Sequence, residues 1–517
     1  MTETNRQVNP WIIAIAVMFA TFMEVLDTTV VNVSLPHIAS TMSATTEEAT
    51  WVLTSYLVAN AIILPMTGWL ASTFGRKRLL MASTVGFTVA SVLCGLAPNL
   101  ASLVIFRIIQ GATGGALQPL SQAVLLESFK PEDRGRAMGF WGLGIVVAPI
   151  LGPVVGGWIT ETYNWRWVFY INLPVGAMSI YMIQRYVFDP PYLRKVSQGI
   201  DYWGMGMLVV GIGALQFVLD KGQTEDWFES NLIVTLAIIS AVSLIALIWY
   251  ELHTDAPIVD LRVFKNRTYA TGVLLMTVVG FVLYGSLVLL PVMLQTLMGY
   301  SSLEAGKAMA PRGMGSLIMM PIVGMLTSKV DPRKLLALGL LIGGGTMLWL
   351  GQINLNAGQM DIMVPQFLQG MGMALLFVPL TTVSMSSIVP QRMGNATSLF
   401  NLMRNIGGGV GIAVTGTYLA RHRQVVAAGL GENISAYDPV TQSTLTQITQ
   451  GMIAAGADVT TATQRAYVIL HGMILRQASM VSFVTVFRLL GVLFLILIPL
   501  VLLMRRPSKG SAPAAAH

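Results

Sequence analysis

Residues 100–124 read LASLVIFRIIQGATGGALQPLSQAV, a run of 25 mainly apolar residues with a single charge at Arg107. A helix needs about 20 predominantly apolar residues to cross the roughly 30 Å hydrocarbon core of a bilayer. The apolar residues run together here instead of alternating with polar ones. The stretch therefore predicts a transmembrane helix and not a half-buried helix of a soluble core.

Similar runs recur along the whole chain. Of its 517 residues, 54% are hydrophobic and 11% are charged, whereas a typical soluble domain is roughly 25% charged. The runs predict fourteen spans, near residues 11–36, 49–71, 79–97, 100–124, 136–159, 166–187, 203–220, 231–250, 268–298, 303–327, 333–353, 361–388, 392–420 and 479–504. The sequence therefore predicts an all-α integral membrane protein with 14 transmembrane helices.

The basic residues indicate how these spans are oriented. An even number of spans places both termini on one side, and a cytoplasmic N-terminus assigns about 20 of the 31 Lys and Arg to cytoplasmic segments. The short loops of the other side receive Arg166, Lys221 and Lys307. We therefore expect both termini in the cytoplasm. Because this asymmetry explains the net charge of +7, we expect no nucleic-acid partner.

An internal repeat relates two parts of the chain. Seven positions recur 259 residues later, in the pairs Gln110/Gln369, Gly111/Gly370, Pro131/Pro390, Gly135/Gly394, Ala137/Ala396, Gly152/Gly411 and Gly157/Gly416. A second match pairs the segments that begin at Gly68 and Gly324. Parallel repeats of six spans are one layout of membrane transporters. Two homologous halves are therefore predicted.

Six spans in each half leave two over, near 203–220 and 231–250, between the matched segments. This predicts a 6+2+6 arrangement. Its parts are an N-terminal six-helix bundle (1–190), two additional linker helices (191–262), a C-terminal six-helix bundle (263–504) and a disordered cytoplasmic tail (505–517).

Two acids, Glu24 and Asp27, lie in the middle of the first span. They are three residues apart and so project from nearly the same face of a helix. A carboxylate at this depth costs roughly 2.5–3.5 kcal/mol, and such acids mark proton relays. We expect Asp27 to carry protons; the alternative is an acid held permanently by Arg107 or near Asn32 and Asn60. For Glu24 both interpretations stay open.

Arginines within the predicted spans are further candidate functional residues. Arg107 cannot practically lose its proton, so we expect it to pair with the first-helix acids, the alternative being a side chain that snorkels to the interface. Arg312 and Arg404 are possible buried charges of the C-terminal half, for which the sequence names no partner.

The fifth span carries small-residue and proline doublets at a strict spacing of four. They are Ala148, Pro149, Gly152, Pro153, Gly156 and Gly157. Small residues on one face let another helix approach closely, and the prolines favour a bend. The pattern predicts a hinge or a tight seal between the halves. Ordinary helix packing without a switching role is the alternative.

The loop after the second span joins a small-residue helix end to a basic cluster. Gly68, Gly75, Arg76 and Lys77 are its main members. A cytoplasmic gating loop is one interpretation, and a topology signal without further function is the other.

Other features bound the function. Residues 421–478 are polar, with a Gln-rich pattern compatible with helix, and are either a solvated periplasmic hairpin or a docking surface for a partner protein. Cys94 is the single cysteine, the five histidines are scattered, and neither GxxxxGK[ST] nor HExxH occurs. We therefore expect no enzyme activity, no metal site and no cofactor.

These motifs resemble those of the major facilitator superfamily, and specifically its fourteen-helix drug:proton antiporters. Leu26 to Pro36 resembles the first-helix signature of that branch, Gly68 to Arg78 the gating loop, Leu103 to Gly115 the intramembrane arginine motif and Ala148 to Gly157 the antiporter motif. The resemblance implies the major facilitator fold and proton-driven efflux of hydrophobic toxic compounds by alternating access. A dedicated exporter of one metabolite or siderophore and a transporter-like membrane sensor are the alternatives.

Within that branch, four further blocks look like the EmrB subgroup: Thr50 to Val52, Trp165 to Phe169, Asn172 to Pro174 and Pro257 to Leu261. This resemblance implies a bacterial cytoplasmic (inner) membrane protein with a periplasmic adaptor of the HlyD/EmrA kind and an outer-membrane channel. One departure is Ser72, where the gating loop usually has Asp. We therefore expect the basic cluster to use another acid, Glu127 or Asp133.

Overall fold

The computed structural model describes residues 9–189, 201–255, 257–432, 434–435, 437–502 and 504. These residues form helices and short connections, and no strand occurs among them. Eleven of the helices are long and apolar enough to cross a membrane, or up to twelve if the bent helix at Arg134–Thr162 is one span. The prediction of an all-helical chain with many spans is therefore confirmed.

The helices fall into three consecutive sets. The first set is α1 (Pro10–Thr41), α2 (Thr46–Phe74), α3 (Arg76–Leu96), α4 (Leu100–Gly114), α5 (Leu117–Ser128), α6 (Arg134–Thr162), α7 (Trp167–Tyr170) and α8 (Asn172–Tyr186). The second is α9 (Tyr202–Lys221) and α10 (Asn231–His253). The third is α11 (Arg267–Thr296), α12 (Ser302–Leu326), α13 (Pro332–Leu350), α14 (Gln359–Ser386), α15 (Met393–Glu432), α16 (Pro439–Ala454), α17 (Val459–Ile496) and α18 (Ile498–Val501).

Helices of the first set pack mainly on one another, as do those of the third, and we call these sets the N-group and the C-group. The internal repeat is visible in their packing. A methyl group on Gly111 would overlap the backbone carbonyl of Tyr56, and a methyl group on Gly370 would overlap that of Arg312. The repeat also relates Tyr56 to Arg312, at the 256-residue offset of Gly68 and Gly324. Both groups therefore use the same close helix contact.

The two groups touch near the end that carries the loops after α2, α5 and α12. A Cβ atom on Gly135 would lie 2.8 Å from the carbonyl oxygen of Gly324, and one on Gly139 equally close to that of Met320. On the other side of the contact, α2 meets α15 where a Cβ on Gly68 would lie 2.6 Å from the Cα of Asn395. Glycine is required at these positions because backbone meets backbone.

The linker pair lies at the side of the N-group. Ser240 of α10 donates to the carbonyl of Gly211 in α9 at 2.9 Å. At the opposite end from the Gly135 contact, Lys221 donates to Thr50 of α2 at 2.6 Å, and Thr54 donates to Asp220. Helix α9 is thus fixed to α2, while most of α10 faces outward.

Two helices extend beyond the span limits that were predicted at 420 and 479. Helix α15 continues without a break to Glu432 and α17 begins at Val459, so each forms one end of the polar segment, with α16 between them. At 1.5 Å per residue their 40 and 38 residues measure about 60 and 57 Å, twice the hydrocarbon thickness. The described residues of 421–478 therefore form a helical hairpin, which we call the projecting hairpin. Residues 190–200 and the predicted tail 505–517 lie outside the described residues.

Polar capping explains where α16 begins. The backbone N–H of Thr441 donates to the carboxylate of Asp438 at 3.0 Å, and this bond lowers the pKa of Asp438 below its usual value. The ionised carboxylate is the better acceptor at a helix N-terminus. Acidification through that lowered pKa would therefore weaken the cap.

Candidate functional site

Asp27 and Arg107 form an ion pair with no solvent exposure. Oδ2 of Asp27 accepts from Nη1 of Arg107 at 2.6 Å. Oδ1 accepts from Gln110 at 2.9 Å and from Asn172 at 2.7 Å. Arg107 is therefore not a snorkelling side chain, and both carboxylate oxygens of Asp27 are hydrogen-bonded.

The guanidinium of Arg107 is fixed from several directions. Its Nε donates to the carbonyl of Val52 at 3.0 Å, and its Nη1 also donates to Gln110 at 2.8 Å. The guanidinium carbon lies 4.1 Å from the centre of the Tyr56 ring. Gln110 both accepts from Arg107 and donates to Asp27, so it aligns the two charges.

Glu24 belongs to a second, separate chain of contacts. Its Oε1 accepts from Asn60 at 3.2 Å and its Oε2 from Gln118 at 2.6 Å. The amide oxygen of Gln118 in turn accepts from Nη2 of Arg404 at 2.6 Å. We call Glu24, Gln118 and Arg404 the amide bridge. It joins an acid of the N-group to an arginine of the C-group, and it shows that Asn60 contacts Glu24 and not Asp27.

The repeat gives the C-group an uncharged copy of the ion-pair site. The 259-residue offset relates Arg107 to Gln366 and Gln110 to Gln369. Nε2 of Gln366 donates to Gln369 at 3.1 Å, both side chains being buried. The buried acids of the described spans in the two groups, Glu24 and Asp27, both belong to the N-group.

The loop after α2 also connects the two groups. Gly75 has a positive φ of 89°, which glycine adopts without strain. The buried side chain of Arg76 pairs with Glu127 and donates to the carbonyl of Pro390 at 3.2 Å. Glu127 is therefore the acid that pairs with the basic cluster in place of the usual Asp, a position that Ser72 occupies here. Asp133 instead pairs with Arg136 on the surface at 3.3 Å.

Lys77, the next residue of that loop, binds within the N-group. Its backbone N–H donates to Asp189 at 2.8 Å, and its ammonium donates to the carbonyl of Gln184 at 2.8 Å. Lys77 therefore fixes the start of α3 to the segment after α8 and makes none of these contacts with the C-group.

The small-residue stripe of α6 packs against α1. A methyl group on Gly152 would overlap Thr29, and a Cβ on Gly156 would lie 3.0 Å from Val30. These contacts are within the N-group, next to Asp27, so the seal between the groups is not made by the stripe. The helix bends by 44° between Pro149 and Val154, as the prolines predict. The side chain of Pro153 lies outside the described atoms.

A family profile described as Major Facilitator Superfamily matches residues 17–412. The chain belongs to this superfamily. Major facilitators are secondary transporters, and the chain is accordingly a multi-pass membrane transporter and not an enzyme. The match covers nearly all of the N-group, the linker pair and the C-group as far as the middle of α15.

Several relatives narrow the comparison. The chain is 41% identical to multidrug export protein EmrB of Haemophilus influenzae over 441 residues, 85% of this chain and 86% of the relative. It is 39% identical to fatty acid resistance protein FarB of Neisseria gonorrhoeae over 96% of each chain. It is 37% identical to EmrB of Escherichia coli over 98% of each chain. The predicted resemblance to EmrB is confirmed.

Solved structures confirm the major facilitator fold. The human organic anion transporter MFSD10 has a TM-score of 0.59 at 13% identity and covers 94% of this chain and all of its own. The proton:xylose symporter XylE has a TM-score of 0.57 at 17% identity and covers 81% of this chain and 90% of its own. At these identities the likeness concerns the fold alone.

Three polar partners of the first-helix acids were not predicted from the sequence: Gln110 and Asn172, which bind Asp27, and Gln118, which binds Glu24. Gln110 and Asn172 lie inside quoted motifs, but nothing in the motifs says that they bind Asp27. Gln118 lies in the apolar run at residues 100–124, where nothing in the sequence distinguishes it from the neighbouring Gln122 as a partner of Glu24.

Glu127→Gln is expected to lower the thermal stability of the purified protein and to reduce efflux. The change leaves the buried charge of Arg76 without its counter-ion, and breaking a buried pair costs about 3–5 kcal/mol. Asp133→Asn is the matched control, because its exposed pair contributes about 0–1 kcal/mol. Thermal unfolding in detergent measures both variants. Equal unfolding temperatures for the two would contradict a role for Glu127 as the anchor of the loop.

Proposed function

We propose that this chain is a proton-coupled exporter of hydrophobic toxic compounds. The observation that carries the proposal is the buried pair of Asp27 and Arg107 beside the amide bridge from Glu24 to Arg404. The relatives named for multidrug export and fatty acid resistance support the same activity. The motive force is the proton gradient, without a cofactor.

Protonation of Asp27 would change the contacts that hold it. A neutral carboxyl loses most of its attraction to Arg107, which stays charged. Asp27 therefore exchanges an ion pair for a proton, and the contacts of α1 with α4 and α8 weaken at that moment. This is the step that we propose couples proton movement to the arrangement of the N-group.

Glu24 is placed to link the proton to the C-group. Its ionised form accepts the amide of Gln118, whose oxygen holds Arg404. A proton or a cargo molecule at Glu24 would disturb this bridge and free the two groups to move relative to one another. Alternating access needs such a link, because a ligand shifts an equilibrium only by binding the two states differently.

We propose fourteen spans in a 6+2+6 arrangement. To the eleven spans and the bent α6 we add α8, a 15-residue helix that follows α7, and α15, with its polar extension. The parts are 1–190, 191–262 and 263–504. The basic loops support a cytoplasmic position for the contact between the groups, and with that orientation the protein would be outward-facing with both termini in the cytoplasm.

The projecting hairpin supports a tripartite assembly. Apolar side chains stand exposed on it, including Tyr437 at 90% and Val468 at 71%. Exposed apolar residues on an aqueous projection are typical of interaction surfaces. We propose that the hairpin binds a periplasmic adaptor of the HlyD/EmrA type, which would lead to an outer-membrane channel.

Purified protein in liposomes tests the function. An imposed pH gradient, acid inside, should drive uptake of several unrelated lipophilic drugs, and collapsing the gradient with a proton ionophore should stop it. Uptake of one compound alone would favour a dedicated exporter. Gradient-independent uptake, or none for any compound, would contradict proton-coupled export.

A further inference from the structure

Arg312 is a buried cation without a visible partner. It lies ten residues into α12, about 15 Å along the helix from Ser302 and so near the middle of a bilayer. Its side chain is 5% exposed, and Nη2 makes no hydrogen bond with any described residue. A charge at this depth is strongly unfavourable unless an opposite charge or several hydrogen bonds compensate it.

The other buried charges of the two groups are compensated. Asp27 pairs with Arg107, and Arg76 with Glu127. Glu24 and Arg404 share Gln118. The acids of the C-group stand near helix ends or in the projecting hairpin, at Glu304, Asp331, Asp361, Glu432, Asp438 and Asp458. Within the described parts of both groups, Arg312 therefore has neither an ion pair, as Arg107 and Arg76 have, nor a link through a polar side chain to an opposite charge, as Arg404 has.

A second unpartnered atom lies on the facing helix. Gln366 is one turn before Gly370 and shares its face of α14, which meets the backbone of Arg312. Side chains of a helix lean toward its N-terminus, so Arg312 extends toward the level of Gln366. Gln366 is buried, and its Oε1 has no partner among the described residues. The repeat relates this pair of positions to Tyr56 and Arg107, which lie in contact.

From these observations we infer that Arg312, whose guanidinium the free Oε1 of Gln366 can orient by accepting one of its N–H groups, forms an anion-binding site in the C-group that receives the acidic head group of amphipathic cargo. A guanidinium presents a planar fork of donors that matches a carboxylate. The apolar remainder of the cargo would lie among the surrounding helices. The inference rests on the proposed export function. It assigns proton transfer to the acids of the N-group and cargo binding to a cation of the C-group.

Binding of dodecanoate to the full-length protein in nanodiscs tests the site, with dodecyltrimethylammonium as a cation of the same tail. Arg312→Gln is expected to weaken dodecanoate binding roughly 10- to 100-fold, the range for a charge-assisted hydrogen bond. Binding of the cation should not change. Arg312→Lys keeps the charge and should keep part of the affinity, which separates loss of the site from loss of folding.

Arg488→Gln is the matched control. Arg488 is an exposed arginine of α17, and its Nε donates to the carbonyl of Gly351 at 2.6 Å. This variant should bind dodecanoate as the wild type does. Dodecanoate binding is also measured at increasing concentrations of sodium chloride, with sodium gluconate as the reference salt. This shows whether a small inorganic anion occupies the site instead.

Unchanged dodecanoate affinity in Arg312→Gln would overturn the site, and so would a site that chloride occupies and dodecanoate does not compete for. The two proposals fail separately. Wild-type protein that exports drugs while Arg312→Gln binds dodecanoate normally would leave the function standing and remove the site. Wild-type protein that transports nothing while Arg312→Gln loses dodecanoate binding would do the reverse.

Discussion

Asp27→Asn is expected to abolish drug-induced proton release and gradient-driven drug uptake. Asparagine has nearly the shape of the carboxylate and can keep the contacts with Gln110 and Asn172, but it neither binds nor releases a proton. Proton release from the detergent-solubilised protein on addition of lipophilic drugs measures the effect. Glu24→Gln in the same experiment shows whether the amide bridge carries a second proton.

The control must separate lost coupling from lost folding. Asp27→Asn leaves the buried Arg107 unpaired, and breaking a buried pair costs about 3–5 kcal/mol. The double variant Asp27→Asn with Arg107→Gln removes both charges and should regain thermal stability without regaining proton release. Wild-type proton-coupled uptake in either variant would remove Asp27 from the mechanism.

Gly139→Val is expected to prevent closure of the seal between the groups and so to stop transport. A Cβ atom there would lie 2.8 Å from the carbonyl oxygen of Met320, which cannot move aside like a flexible side chain. Overpacking costs about 1–3 kcal/mol, which shifts a two-state equilibrium roughly 5- to 150-fold. The shift should favour the state in which this end is open.

Cysteine labelling reads out that shift. Ser72→Cys lies in a polar cleft of about 280 Å³ at the closed end, between α2 and α15. The native Cys94 is buried and should contribute little signal. Labelling at position 72 should be faster with Gly139→Val, whereas Gly157→Val on the same helix should leave it unchanged, since no described atom lies within 4 Å of that Cβ. Equal labelling rates would argue against a seal at Gly139.

Hydropathy predicts the membrane helices well and their extensions poorly. The apolar run at 231–250 is explained by a membrane helix alone, and α10 lies there. The ends of α15 and α17 could not be predicted, because a helix that leaves the membrane loses its apolar signal while its backbone hydrogen bonds continue. The bend of α6 was predictable because proline removes a backbone donor at a known position.

Some contacts of the candidate site could likewise be predicted from the sequence, and others could not. Glu24 and Asp27 lie on one face by spacing alone, and the unfavourable burial of Arg107 predicts an acidic partner. The amide bridge was beyond sequence analysis, since Gln118 and Arg404 are 286 residues apart and meet only through the packing of the two groups. The orphaned atoms of Arg312 and Gln366 likewise depend on the approach of α12 and α14.

The unbroken length of α15 makes it a rigid lever. Arg404 is a member of the amide bridge, and the helix runs from there through 28 further residues to Glu432, about 42 Å. A tilt of 10° at the level of Arg404 would move the far end by about 7 Å. Any protein in contact with the tip would therefore sense, without a separate signal, which way the transporter faces.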